Sequence, residues 1–482
     1  MKYIMGLNTQ NTVSSNGHVW KLDDRYSILL AGMMCLLIIQ MIVPDGFHYD
    51  LKPGDMPTSG SALSRMIWLS LLAMGILFTL WRAGLAWLLV RSTNPFFLII
   101  VVLAIVSIAW SIDPSLTVRR LVRLTTFLFV CIAFVLSGWH ARRFQNVMRS
   151  VLTLILFASI VFCVVSPRLA IEQSTSAELI GAWHGLATQK NGLGALACFG
   201  MIFWFHAWLS REVKSRSALI GGSIAAICLV FSRSSTSMLA TLVVMMLLVM
   251  LLRMPPHLRW IRPFLVSMMS VLVLVYAIAI LKIVPGLSFI LDPIVALTGK
   301  NMTFSGRSEI WAIIADHIKL HPMMGTGYAA YWTPQPILGK PSYEFIVRMQ
   351  GFYPGESHNG YLDVINDLGW VGMACLLAYI FTYIRQSLQL LEIDSNQGAL
   401  YLALFFQQAI TNLSEAHWFN VQSVDFVFMM LATMAMARNL LEYRLRAVFG
   451  DPYSSKDGIQ DDLFGRMQTD STQFQQYRNM TP

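Results

Sequence analysis

FLVSMMSVLVLVYAIAILKIV, Phe264–Val284, is 21 residues long and Lys282 is its only charge. Wound as an α-helix at about 1.5 Å per residue, such a run spans the ~30 Å hydrocarbon core of a bilayer, for which roughly 20 mainly apolar residues suffice. It has no polar face to turn to water. Toward the N-terminus the same reading recurs at Tyr26–Val43, Ala62–Trp81, Pro95–Trp110, Leu121–Gly138, Val147–Ser166, Leu193–Leu209, Ala218–Phe231 and Ser237–Leu252. Toward the C-terminus it recurs at Gly360–Ile384, Ala399–Leu413 and Val424–Leu440. The chain is therefore expected to be an all-α polytopic integral membrane protein with about 12 transmembrane helices.

Composition agrees. The 482 residues are 56% hydrophobic and 13% charged, against about a quarter charged in a soluble domain. The formal net charge of +9 comes from 35 basic and 26 acidic residues spread along the chain, with no dense patch for nucleic acid. All six cysteines fall in or beside apolar runs at spacings that match no metal framework, and read as packing residues. The polar first 25 residues read as an N-terminal tail, and the first apolar run, with no small-residue cleavage site behind it, as a retained helix.

Lys and Arg in short loops set orientation. Arg82, Arg91, Arg142, Arg143, Arg211, Lys214, Arg216, Arg253, Arg259, Arg262, Arg444 and Arg446 fall on one side by alternation, with Lys2, Lys21 and Arg25 of the N-terminus. That side reads as cytoplasmic, so both termini are inside. Helices one to nine occupy 26–284. A long outward, periplasmic loop follows at 285–358, then helices ten to twelve at 359–441, and a Gln-rich tail at 442–482 that reads as disordered. Within the loop, Ile310, Trp311, Ile313, Ile314 and Ile318 recur at helical spacing, expected of an amphipathic helix on the membrane surface.

Some cations oppose this bias. Arg119, Arg120, Arg123, Lys190, Arg233, Lys300, Arg307 and Arg348 face outward. Each taken alone reads as snorkelling to headgroups. As a group they read as partners for an anion at the lipid boundary, for which the planar fork of arginine suits a phosphate.

Outward motifs sharpen this reading. GAWHGLATQKNGLG covers Gly181–Gly194, LTGKNMTFSGRSEIW covers Leu297–Trp311, HPMMGTGYAAYW covers His321–Trp332, and SHNGYLDVINDLGWVG covers Ser357–Gly372. With WSIDPSLTVRR at Trp110–Arg120 and SRSSTS at Ser232–Ser237, the chain resembles the O-antigen ligase and polysaccharide polymerase family over roughly Trp110 to Glu415, and its exopolysaccharide polymerase branch most. The resemblance implies a C-superfamily glycosyltransferase that moves a glycan from undecaprenyl pyrophosphate to an acceptor-sugar hydroxyl, by inversion and with neither metal nor cofactor. It implies as partners the lipid-linked oligosaccharide, membrane lipids, and polysaccharide export or chain-length proteins; nucleic acid is not among them. The place is the outer face of a bacterial inner membrane.

Residue chemistry fits this separately. His358, at the start of an apolar helix beside Asn359, has the titration range of a base for the hydroxyl. Arg307 has the donors for the charge that develops on the pyrophosphate. The substrate-binding candidates are His184, Lys190, Asn191, Arg119, Arg120, Arg233, Asn359 and Glu415, the last of which reads equally as a structural hydrogen-bonder. Trp311 and Trp332 read as interface anchors, with sugar stacking as the alternative. Asp363 and Asp367, one turn apart, either orient His358 or cap and solvate a helix start. The outward loops hold no convincing metal cluster and no Asp-x-Asp pair. Three positions depart from the family pattern: His184 stands in the place of its arginine, Gln189 in that of a common histidine, and Ser235 in that of a basic residue, with Arg233 two residues away.

Three other functions are weighed against polymerisation. A ligase shares the chemistry and differs in its acceptor. A lipid-linked sugar transporter would carry its polar residues near the midplane in two related halves, whereas here they gather at helix ends. A scaffold or receptor would use the loop as a binding surface.

Overall fold

The structure, a computed structural model, describes residues 25–44, 49, 61–136, 143–173, 180–280 and 307–449. The N-terminal tail, the outward loop residues 285–306 with Lys300, and most of the C-terminal tail lie outside the described residues. So do most of the residues between the first two helices.

The helices are α1 (Arg25–Ile42), α2 (Ala62–Trp81), α3 (Ala83–Ser92), α4 (Pro95–Val106), α5 (Pro114–Leu136), α6 (Arg143–Val165), α7 (Pro167–Ala170), α8 (Lys190–Leu209), α9 (Ser215–Phe231), α10 (Ser235–Arg253), α11 (Arg262–Ile280), α12 (Arg307–Ile318), α13 (Glu344–Arg348), α14 (Gly360–Ile393), α15 (Ser395–Thr411) and α16 (Val424–Phe449). Among the described residues there is no strand, only an isolated bridge between Ile171 and Trp183. Over its described residues, each of the twelve apolar stretches coincides with a helix. Seven helical segments among the described residues are long and apolar enough to cross a membrane unaided. α5 is as long as these but carries Arg119, Arg120 and Arg123 in its first turns.

The third expected span differs. α4 runs on through a 3-10 turn at Ser107–Trp110, so the helical segment has the expected bounds, Pro95–Trp110, but is short for a hydrocarbon core by itself. It meets α3 at a bend of 105°. Pro95 cannot continue the preceding helix, and the buried Asn94 caps the new one by accepting from the backbone N–H groups of Phe96 and Phe97. Asn94 Nδ2 donates to the Tyr379 carbonyl, which ties the break to α14.

α16 is the axis of the bundle: its apolar window is wholly buried, against α1, α3, α5, α14 and α15. α2 and α11 are peripheral, with exposed leucines such as Leu63, Leu77 and Leu272 that a bilayer would cover. All six cysteines are free, and Cys131, Cys163, Cys198 and Cys228 are buried among other helices.

α14 is also broken. Gly369 has φ 67° and ψ −167°, a conformation essentially restricted to glycine. The residues after α12 fill the break. Trp370 and Val371 N–H donate to the carbonyls of Pro322 and Met323, and the N–H groups of Thr326 and Gly327 donate to the carbonyls of Asn366 and Asp367. Backbone freed at membrane depth is thus bonded by protein, as such a break requires. Asp363 and Asp367, in the short segment before Gly369, serve the same loop: Trp332 Nε1 donates to Asp363 (3.0 Å) and the Ala329 N–H to Asp367 (2.9 Å). Asp363 also interacts with Ser357, the residue before His358.

The expected amphipathic helix is α12, but its apolar face is not left for lipid. Ile310, Ile313 and Ile314 are buried against Tyr331, Trp332 and Phe345. The two tryptophans are not interface anchors. Trp332 is buried on Asp363, and Trp311 Nε1 donates to the Ser357 carbonyl at 2.9 Å. Covering this face inside the loop makes the loop a small packed cap over one end of the bundle.

Candidate active site

Under that cap, four elements converge on one carboxylate. Glu415 lies in the turn between α15 and α16, its side chain 11% exposed. Asn191 Nδ2, from the first turn of α8, donates to Glu415 Oε1 at 2.7 Å, and Arg307 Nη2, at the start of α12, donates to the same oxygen at 2.9 Å. His358 Nδ1 faces the other oxygen, Oε2, at 3.3 Å. Glu356 Oε1 approaches the same His358 nitrogen at 3.1 Å. Two carboxylates thus face a guanidinium and an imidazole.

The backbone explains why these groups meet. Asn359 caps α14 with its side-chain oxygen, accepting from the N–H groups of Tyr361 and Leu362, and its Nδ2 donates to the Leu413 carbonyl. Gly360 N–H lies within bonding distance of the Asn412 and Glu415 carbonyls, and a side chain at Gly360 would collide with Asn412. Asn412 Oδ1 in turn accepts from the N–H groups of His417 and Trp418, which shapes the turn that presents Glu415. His358 is held between these anchors at φ 52°. That left-handed conformation costs a non-glycine residue about 1–2 kcal/mol and marks a position determined by its surroundings. On α12, Arg307 and Trp311 are four residues apart and share a face; one reaches Glu415, the other the carbonyl preceding His358.

Electrostatics follow from this contact set. Burial works against a charge on His358, but the carboxylates of Glu356 and Glu415 outweigh it and lift the imidazole to about 10, from an ordinary value of 6.5. Burial likewise opposes a charge on Glu415, yet His358 and Arg307 hold it below the ordinary carboxylate value. The site thus sets two carboxylates against the Arg307 guanidinium and the His358 imidazole. The two carboxylates therefore favour the charged form of His358 at rest.

Glu356, His358 and Glu415 offer three donor atoms within 4.8 Å of one another, enough to hold a metal. The donor set fits one poorly. A ligating histidine must be neutral, and a guanidinium 2.9 Å from Glu415 opposes a dication beside it.

Of the expected site residues, His358, Arg307, Asn191 and Glu415 meet. Lys190 opens α8 just before Asn191. Asn359 is adjacent but is spent as a helix cap. The others are elsewhere. Arg120 is buried and donates to the Trp332 carbonyl (3.1 Å), holding the cap onto α5, because a guanidinium at this depth needs an acceptor. Arg119 is exposed and turned back on its own helix, toward the Ser115 carbonyl. Arg233 donates to the Ile180 carbonyl at 2.8 Å and lies against Gly181. His184 is buried, with Nδ1 on the Ala187 carbonyl and its ring stacked on Tyr49. Glu356 and Asn412 are the residues sequence reasoning missed. An acidic residue two places before His358, the spacing that shares a face in extended chain, was the available signal for Glu356.

The model of the O-antigen ligase family matches residues 220–377, which include Arg307, Glu356 and His358. The chain is 26% identical over 322 residues to the exopolysaccharide production protein ExoQ of Rhizobium meliloti (strain 1021), covering 65% of this chain and 70% of that one.

Proposed function

We propose that the protein is a glycosyltransferase of the inner membrane that polymerises undecaprenyl-pyrophosphate-linked oligosaccharide repeats into an exopolysaccharide at the periplasmic face. In this reading both termini are cytoplasmic, and the transfer is inverting and metal-independent. One observation carries it: Arg307 and His358 are held on opposite oxygens of Glu415. A displacement with inversion needs a cation at the leaving group and a base at the nucleophile, on opposite faces of the reacting carbon, and a carboxylate spacer keeps two such groups apart. The site also gathers at one end of the bundle, while Arg149, near the start of α6, bonds Glu212 and Arg262, at the start of α11, bonds Ser395 at the other.

The acceptor hydroxyl oxygen bonds to the anomeric carbon as that carbon's bond to the pyrophosphate oxygen breaks. The bonding pair leaves with the pyrophosphate, whose added charge Arg307 stabilises through hydrogen bonds already in place. The hydroxyl proton passes to His358 Nε2, while Nδ1–H is directed at Glu415, which fixes the tautomer. Asn191 and Glu415 are positioning residues in this scheme. An imidazolium at rest must first lose its Nε2 proton to solvent water before Nε2 can accept the hydroxyl proton.

The test is incubation of the purified full chain with lipid-linked repeat units. A ladder of lengthening glycans supports polymerisation. A single transfer to a different acceptor supports a ligase, a reading favoured by the family match. No covalent change defeats both and leaves a transporter.

A further inference from the structure

Resting on that reading, the loop before His358 carries a feature that glycan transfer alone does not explain. Two carboxylates, Glu356 and Glu415, approach one nitrogen of His358, which has a single hydrogen to give. They are not equivalent. Glu415 is also bonded by Asn191 and Arg307 and lies in a buried turn. Glu356 is the more exposed, at 28%, on a loop whose Gly351 and Gly355 are left-handed with open space where a side chain would be. In the same loop Tyr353 turns inward, its hydroxyl on the Thr333 carbonyl, while Phe352 turns outward with 54% exposure. An open aromatic face and an accessible carboxylate on one short outward loop are what a sugar ring uses: the ring gives its C–H face to the phenyl and its hydroxyls to the carboxylate.

We propose that Glu356 and Phe352 form the subsite for the acceptor sugar, and that Glu356 exchanges His358 Nδ1 for an acceptor hydroxyl when the sugar binds. The exchange leaves His358 with one carboxylate partner in place of two, so its proton is lost more readily and Nε2 becomes a base only when an acceptor is present. Nothing else facing the imidazole changes. Glu415 approaches from the α15–α16 turn, and Arg307 and His417 act on His358 through Glu415.

The test uses the full chain in detergent, lipid-linked repeat as donor, and the same repeat as acceptor. For Glu356→Gln the acceptor KM should rise about tenfold or more, the loss of a hydrogen bond to a charged group. Donor Kd should hold, and the rising limb of the pH–rate profile should move toward neutrality. Glu356→Asp, which keeps the charge, should restore the limb in part. Phe352→Ala should raise acceptor KM without moving the limb. An unchanged acceptor KM in both Glu356→Gln and Phe352→Ala overturns the subsite. So does tighter donor binding by Glu356→Gln with acceptor KM unchanged, which would make Glu356 a repellent of the diphosphate instead. A wild-type chain that transfers no glycan removes the proposed function and this inference with it.

Discussion

Replacing Glu415 by Gln probes the site at its hub. The side-chain oxygen of Gln can still accept from Asn191 and Arg307, which share Oε1 at 2.7 and 2.9 Å. The amide nitrogen then faces His358 Nδ1 across 3.3 Å, donor against donor. The substitution leaves the guanidinium without its anion in a place where Arg307 is 18% exposed. Breaking a buried pair by removing one partner costs about 3–5 kcal/mol; because these side chains are not fully buried, the lower end applies, about 3 kcal/mol. Arg307 and His358 then lose the carboxylate that sets their separation, and a misplacement of about 1 Å lowers turnover about a hundredfold. The assay is glycan transfer from lipid-linked repeats, beside thermal unfolding in detergent. Glu415→Asp, one methylene shorter, should lose activity but retain part of the stability. If Glu415→Gln retains turnover within threefold of wild type and melts at the same temperature, Glu415 is not the spacer described.

Three further outcomes are expected. Gly369→Ala places a side chain in a glycine-only conformation against the Met323 backbone; a cost of at least about 2 kcal/mol should lower the melting temperature by about 2 °C or more, and an unchanged melt would contradict the loop-filled break. Asn412→Ala removes the acceptor for two buried N–H groups, and should cost about 2 kcal/mol and lower turnover without changing which glycan is made, measured by melting and product analysis. The pH response follows from His358: its folded value of about 10 lies above the ordinary 6.5, so its stabilising contribution is complete below pH 6.5 and is lost as pH rises through 10. Thermal stability should fall over that interval while kcat/KM climbs as the imidazole loses its proton; His358→Asn should flatten both, and profiles that do not change on that substitution would sink the assignment.

Much of this was legible in the sequence, for a physical reason. An apolar run as long as Phe264–Val284 has few alternatives in a bilayer, so every stretch of that kind became a helix. Hydropathy averages over a window, however, and does not see a single dihedral. The breaks at Asn94–Pro95 and Gly369 therefore went unread, although Pro95 was a visible warning. Burial was misjudged where polar and apolar residues alternate in the loop: Ile310, Ile313 and Ile314 were offered to lipid but are covered by Tyr331, Trp332 and Phe345, more than a dozen residues further on. Arg120 and Arg307 looked alike as outward cations; only the fold separates them, placing one on a carbonyl and the other on a carboxylate. Glu356 was missed because its meaning depends on Glu415, 59 positions away, approaching the same imidazole nitrogen.

The division of labour across Glu415 is the central claim, and one paired measurement addresses it most directly. Donor affinity and single-turnover transfer are measured for Arg307→Ala and His358→Ala in the full chain. The account requires donor Kd to weaken at least about tenfold in the arginine variant. In the histidine variant Kd should stay near wild type while transfer falls about 10²–10⁴-fold. Weakened donor binding in His358→Ala with transfer intact at saturating donor, or full transfer in both variants, would contradict it.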